Sequence, residues 1–101
     1  MPRNILLAIA IAAAPPTAFA QTGGIAARNL AASCAICHGT DGRAATTDVV
    51  PLAGLPEVYI AAQMQAFRDG KRPATVMHQI AKGYTDQQIE QLAAYFAARK
   101  R

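Results

Sequence analysis

The chain has 101 residues, ten Lys and Arg, six Asp and Glu, and a formal net charge of +4. That length holds one small domain. So mild a charge, spread along the chain, makes no basic stripe for nucleic acid, and the one basic run, Arg99-Lys100-Arg101, suits the carboxyl end of a helix.

Residues 1–20 read "MPRNILLAIAIAAAPPTAFA". A basic start at Arg3, an apolar run from Ile5 to Ala14, a Pro15-Pro16 break and small residues at Ala18 and Ala20 make the pattern of a secretory signal peptide cleaved after Ala20. The apolar run is shorter than the roughly 20 residues that span a bilayer, so no stable membrane insertion is expected. The mature domain, 21–101, is then expected in the periplasm. Beyond the leader the aromatic residues are Tyr59, Phe67, Tyr84, Tyr95 and Phe96. This is little bulky material for a self-sufficient core, and a small domain of this kind needs a staple or a non-peptide filler.

From Ile25 to Ala35 no proline or glycine occurs, and Ile25, Leu30 and Cys34 recur with alanines at helical intervals; a first helix is predicted there. The text from His38 to Gly54, "HGTDGRAATTDVVPLAG", is turn-rich and aperiodic, and so long a loop in a small domain is usually functional. Pro56 and Glu57 then open a second helix that stops at Gly70, with Ile60, Met64 and Phe67 on one stripe. The segment "ATVMHQIAK" predicts a short helix ending at Gly83. Thr85 and Gln88 form a capping box for the last helix, whose buried face is Ile89, Leu92, Ala93 and Phe96. No stretch alternates in the manner of a strand. The fold class is therefore all-α, with three longer helices, one short one and a large loop.

Both cysteines lie in "CAICH", residues 34–38. A disulfide between Cys34 and Cys37 closes so short a loop that it stabilises weakly, and it leaves His38 without a role. A thioredoxin-like dithiol belongs beside a βαβ pattern that is missing here. Structural zinc needs four ligands, and this pair of cysteines with His38 and His78 matches no usual spacing. Covalent haem uses every residue: two thiols about one turn apart meet the porphyrin vinyl groups, and the histidine that follows reaches the iron. Cys-x-x-Cys-His is the signature of that attachment, and export agrees with it. Cys34 and Cys37 are the candidate anchors of one covalent haem c, and His38 is its candidate iron ligand.

The stretch "LAASCAICHGTDG" resembles the haem-binding start of a class I cytochrome c. The remainder, "PLAGLPEVYIAAQMQAFRDGKRPATVMHQIAKGYTDQQIEQLAAYFAARK", is similar to the small bacterial members, in particular the haem subunit of flavocytochrome c sulfide dehydrogenase. The likeness runs from about Leu30 to the end. It implies a small class I cytochrome c fold wrapped around the haem, with Met77 as the distal iron ligand, a pairing with histidine that raises the potential. Met64 is read instead as a core thioether. His78 is adjacent to Met77 and points about 100° away on a helix; it is read as a surface or haem-edge residue, with bis-His ligation as the alternative. The resemblance also implies a loop carbonyl that receives the second nitrogen of the proximal histidine, with Pro51 as the counterpart and Val50 as the alternative register.

The first and last helices of such folds cross closely, and Ala26, Ala27 and Ala31 leave room for Tyr95 or Phe96. Arg68, Lys71 and Arg72 form a basic group that either steers an acidic partner or is a solvated face. The resemblance implies electron transfer without catalysis by this chain alone. The donor would be an FAD-containing sulfide dehydrogenase flavoprotein, and the acceptor another cytochrome or an electron-transport chain. The alternative is a free-standing periplasmic cytochrome c shuttling electrons between respiratory complexes. A gas-binding haem protein would lack the distal methionine, and a dithiol oxidoreductase would carry no haem at all.

Overall fold

The computed structural model describes the backbone of residues 18–101 and the side chains from residue 24 on. Most of the expected leader, residues 1–17, lies outside the described residues. Among the described residues five α-helices follow in order: α1 (Ala18–Ala32), α2 (Ala35–His38), α3 (Glu57–Arg68), α4 (Met77–Ala81) and α5 (Asp86–Ala97), with a 3-10 turn at Thr40–Gly42. No strand occurs among the described residues. The three longer helices, the short α4 and the large loop between α2 and α3 match the all-α expectation.

Both expected boundaries of the first helix differ: it begins at Ala18, ahead of the expected Ile25. The first helix stops at Ala32 rather than continuing to Ala35, and the chain turns at Ser33 and Cys34 before starting again as α2. The reason is local: Cys34 N–H donates to the Ala31 carbonyl, a tightened i to i−3 bond at 3.1 Å, and His38 N–H then donates to Cys34 at 2.9 Å. The tightened turn reorients the motif relative to α1.

Helix α5 is the centre of the packing and touches both α1 and α3, while α4 lies on α3. Its start is built as expected: the Thr85 hydroxyl accepts from the Gln88 N–H at 3.2 Å, and the Gln88 side chain accepts from the Thr85 N–H at 3.0 Å. Two otherwise unpaired donors are thereby satisfied. All four predicted apolar positions, Ile89, Leu92, Ala93 and Phe96, are buried. They meet Ala31 of α1, Ile60 and Met64 of α3 and Ala81 of α4 in one cluster. Ala31 is thus the alanine of α1 that joins Phe96, whereas Ala26 stays exposed.

The core is small. Its largest wholly buried side chains are Ile89 and Leu92, each worth about 1.5–3 kcal/mol by burial. Meanwhile Ile36, Val50 and Val76 keep half or more of their surface in solvent. The protein atoms alone do not cover these apolar side chains.

Between α3 and α5 an ion pair adds to the apolar contact. Arg68 Nη1 lies 2.6 Å from Asp86 Oδ1, and Arg68 Nε lies 3.6 Å from Asp69. Arg72 stacks over the Phe67 ring at 4.8 Å and donates to the Gln63 side chain. Two of the three residues in the expected basic group, Arg68 and Arg72, are therefore engaged within the fold.

Candidate functional site

The site begins in α2, whose four residues are Ala35 to His38. Cys34 is half-buried and Cys37 exposed, and their sulfurs are not bridged. Burial pushes the Cys34 thiol above its ordinary value, partly offset by a hydrogen bond with Ser33. Ile36, between the two cysteines, is 87% exposed. A large aliphatic side chain in that position adds apolar surface beside both sulfurs.

His38 is oriented by the loop. Its Nδ1 lies 2.7 Å from the carbonyl oxygen of Val50. A carbonyl only accepts, so Nδ1 carries the proton and Nε2 keeps its lone pair, the tautomer that a metal-binding imidazole needs. The carbonyl that meets His38 belongs to Val50 and not to Pro51. Pro51 stands one position further, where its ring sets the backbone that presents the Val50 oxygen. The loop register is the alternative one, decided by how the segment is tied down elsewhere.

That tying is specific. The Gly42 carbonyl accepts from Leu52 N–H at 2.8 Å and from Ala53 N–H at 3.1 Å, closing the loop on itself just beyond Val50. Gly42 is buried with φ +78°, and a Cβ there would stand 2.8 Å from Cδ1 of Phe96 and 2.9 Å from Ala53 N. Only glycine gives both that backbone angle and that clearance. Gly39 has φ +84°, and a Cβ there would collide with the Arg43 carbonyl. Gly54 N–H donates to the Phe96 carbonyl at 2.9 Å, so α5 holds both ends of the loop.

A polar network not foreseen from sequence lies alongside. Asp41 sits at φ 55°, ψ 24° in the 3-10 turn, a left-handed conformation that aspartate tolerates better than most residues. Its Oδ1 accepts from the Tyr95 hydroxyl at 2.7 Å, and its Oδ2 lies 3.7 Å from Arg43. Bonding to Asp41 raises the Tyr95 hydroxyl above its ordinary value, with desolvation adding to it. Arg43 Nε also donates to the Lys100 carbonyl at 2.8 Å, and the Arg99 guanidinium lies 4.4 Å over the Tyr95 ring. From sequence Tyr95 stood out only as a packing residue; nothing in local spacing pairs positions 41 and 95.

Met77 is the first residue of α4 and packs half-buried against the core cluster. Met64 is 9% exposed inside that cluster, as the core reading requires. His78 is half-buried, and its Nδ1 is enclosed without a hydrogen-bond partner. Among the described residues no three of His, Cys, Asp and Glu gather to hold a bare metal ion, so a structural zinc site finds no ligand set there. A planar group carrying its own iron asks less of the chain. It needs thiols, a correctly tautomeric imidazole and uncovered apolar surface, and Cys34, Cys37, His38 and Ile36 have those properties.

A helical fold with a Cys-x-x-Cys-His turn, an imidazole held by a loop carbonyl and a short methionine-bearing helix ahead of the last one defines a class I cytochrome c. Residues 24–96 match the family model described as cytochrome c oxidase, cbb3-type, subunit III, and the chain belongs to that family of haem-binding cytochrome c domains. It is 38% identical over 86 residues to a cytochrome c4 of Pseudomonas aeruginosa, covering 83% of this chain and 43% of that protein. It is 44% identical over 68 residues to the cytochrome subunit of sulfide dehydrogenase of Chlorobaculum tepidum, covering 66% of this chain and 60% of that one. The chain thus spans about half the length of these two relatives. Among solved structures, a thiosulfate dehydrogenase of Marichromatium purpuratum aligns with TM-score 0.72 and 34% identity over 93% of this chain and 22% of the other. Among the described residues no helix is long and apolar enough to cross a membrane.

Proposed function

We propose that this chain is an exported electron-transfer protein carrying one haem c, attached through Cys34 and Cys37, with His38 and Met77 as the two iron ligands. The observation that carries the reading is the bond from His38 Nδ1 to the Val50 carbonyl at 2.7 Å, directly after two unbridged cysteines. When bound, the haem supplies a one-electron couple. The protein's contribution is to hold still. Val50 fixes the His38 ring and raises its basicity, Met77 offers a thioether that favours the reduced state, and the α5 clamp limits rearrangement of the proximal loop. The role is that of an electron-transfer subunit and not of an enzyme by itself, in keeping with relatives named as a dehydrogenase's cytochrome subunit and as an electron acceptor.

Residues 1–20 serve as the export signal, and the periplasm is the proposed compartment. The donor is a flavoprotein that oxidises sulfide, in keeping with the 44% identity to a sulfide dehydrogenase cytochrome subunit; the acceptor is a further cytochrome. A second reading has a relative of equal identity, of which this chain covers 33% against 60% for the first. A thiosulfate dehydrogenase electron acceptor of Thiomonas intermedia is also 44% identical, over 71 residues, which favours a free-standing carrier serving a thiosulfate-oxidising partner. Affinity isolation of the holoprotein from native periplasm separates the two. Co-isolation of a flavin protein, with reduction of the haem by sulfide, supports the subunit; a haem that sulfide leaves oxidised and thiosulfate reduces supports the carrier. Absence of a covalent haem spectrum would overturn both.

A further inference from the structure

We propose that Tyr95 and Asp41 are positioning residues for His38, acting through the loop that carries Val50; the proposal rests on His38 being the proximal iron ligand. The bonds form a continuous path. The Tyr95 hydroxyl donates to Asp41 Oδ1 at 2.7 Å. Asp41 occupies the centre of the turn whose next residue, Gly42, presents its carbonyl to Leu52 N–H at 2.8 Å and Ala53 N–H at 3.1 Å. Two residues before Leu52 is Val50, whose carbonyl accepts from His38 Nδ1.

Three features make this a path rather than a list of contacts. Asp41 is the one non-glycine residue with positive φ among those described, so its turn is held against its own preference and benefits from an external anchor. Tyr95 is itself fixed, half-buried in α5 against the core, with Arg99 stacked on its ring and donating to its carbonyl at 3.2 Å. The segment from 43 to 51 contains no helix or strand, so the placement of the Val50 oxygen depends on how its two ends are tied. Cutting the Tyr95 link loosens the turn, lengthens the bond from His38 and lowers the electron donation of the imidazole. The ferric state loses most by this, and the reduction potential rises.

The test uses the mature holoprotein labelled with nitrogen-15, in its ferrous form. Two quantities are read: the solvent-exchange rate of the His38 Nδ1 proton by NMR, and the midpoint potential. Tyr95→Phe changes no charge and is expected to speed exchange about tenfold, the size of one lost hydrogen bond, and to raise the potential. Asp41→Gly cuts the same link while suiting the backbone angle, and is expected to speed exchange equally. Asp41→Asn keeps an accepting oxygen and tolerates the left-handed angle, so its exchange stays near that of the unmodified protein. Thr85→Ala removes the α5 cap and lowers stability without touching the path; neither readout moves.

If Tyr95→Phe lowers the melting temperature as Thr85→Ala does but leaves both exchange and potential unchanged, the pair is only structural and the proposal is overturned. If the unmodified ferrous protein shows no ring-current-shifted His38 protons, His38 is not the iron ligand and the proposal falls with that reading. That failure is recognised before any variant is made.

Discussion

The ring of Phe96 lies over Gly42 so closely that a β-carbon on the glycine would stand 2.8 Å from its Cδ1. Through this contact the last helix and the loop following the haem motif become one unit, joined also by the bond from Gly54 N–H to the Phe96 carbonyl. Gly42→Ala therefore meets both a positive φ and a steric conflict. It is expected to cost about 3 kcal/mol, seen as a lowered denaturant midpoint, and to reduce the yield of haem-bearing protein on expression. Unchanged stability would show that the loop shifts freely away from α5.

Thr85→Ala removes one half of a complete capping box. The expected loss is about 1 kcal/mol, which in a domain this size lowers the melting temperature by about 4–8 °C. Gln88→Ala should cost less, since the Thr85 hydroxyl still accepts from the backbone. Calorimetry of the two variants and the double variant checks the order.

The two methionines should separate cleanly. Met64→Leu conserves volume in the core and is expected to cost less than about 1.5 kcal/mol while leaving the haem spectrum intact. Met77→Ala removes the proposed distal ligand, so the ferrous form should bind carbon monoxide rapidly and the potential should fall. Spectra that respond to Met64→Leu and ignore Met77→Ala would reverse the assignment.

Alkaline stability offers an independent check on Tyr95. Its hydroxyl titrates above the ordinary 10.0 because it is bonded to Asp41 and partly desolvated. A group whose folded value is raised contributes stability that is full below the unfolded value and is lost as pH rises through the folded one. Unfolding free energy should therefore decline above about pH 10, and less steeply in Tyr95→Phe than in the unmodified protein. Parallel curves for the two proteins would show that the bond to Asp41 adds nothing.

Much of this was open to reading in one dimension. The Cys-x-x-Cys-His motif, the Thr85 and Gln88 cap and the apolar stripe of α5 depend on residues within a few positions of one another, and local spacing is what helix geometry preserves. The break at Ser33 and Cys34 escaped because a continuous alanine-rich pattern does not reveal a single tightened bond. The carbonyl facing His38 was left open between Pro51 and Val50 for a different reason: the two are neighbours, and which oxygen arrives depends on loop closure at Gly42.

The sequence by itself determined the helical class, the thiols and imidazole of the motif, the place of Met77 ahead of the last helix and the core role of Met64. Only the tertiary structure decided that Val50 holds His38, that Tyr95 meets Asp41 across fifty-four positions, and that Arg68 is engaged with Asp86. These are contacts between segments far apart in the chain. Their partners are selected by the packing of α5 against α1, α3 and the loop, which no local period encodes.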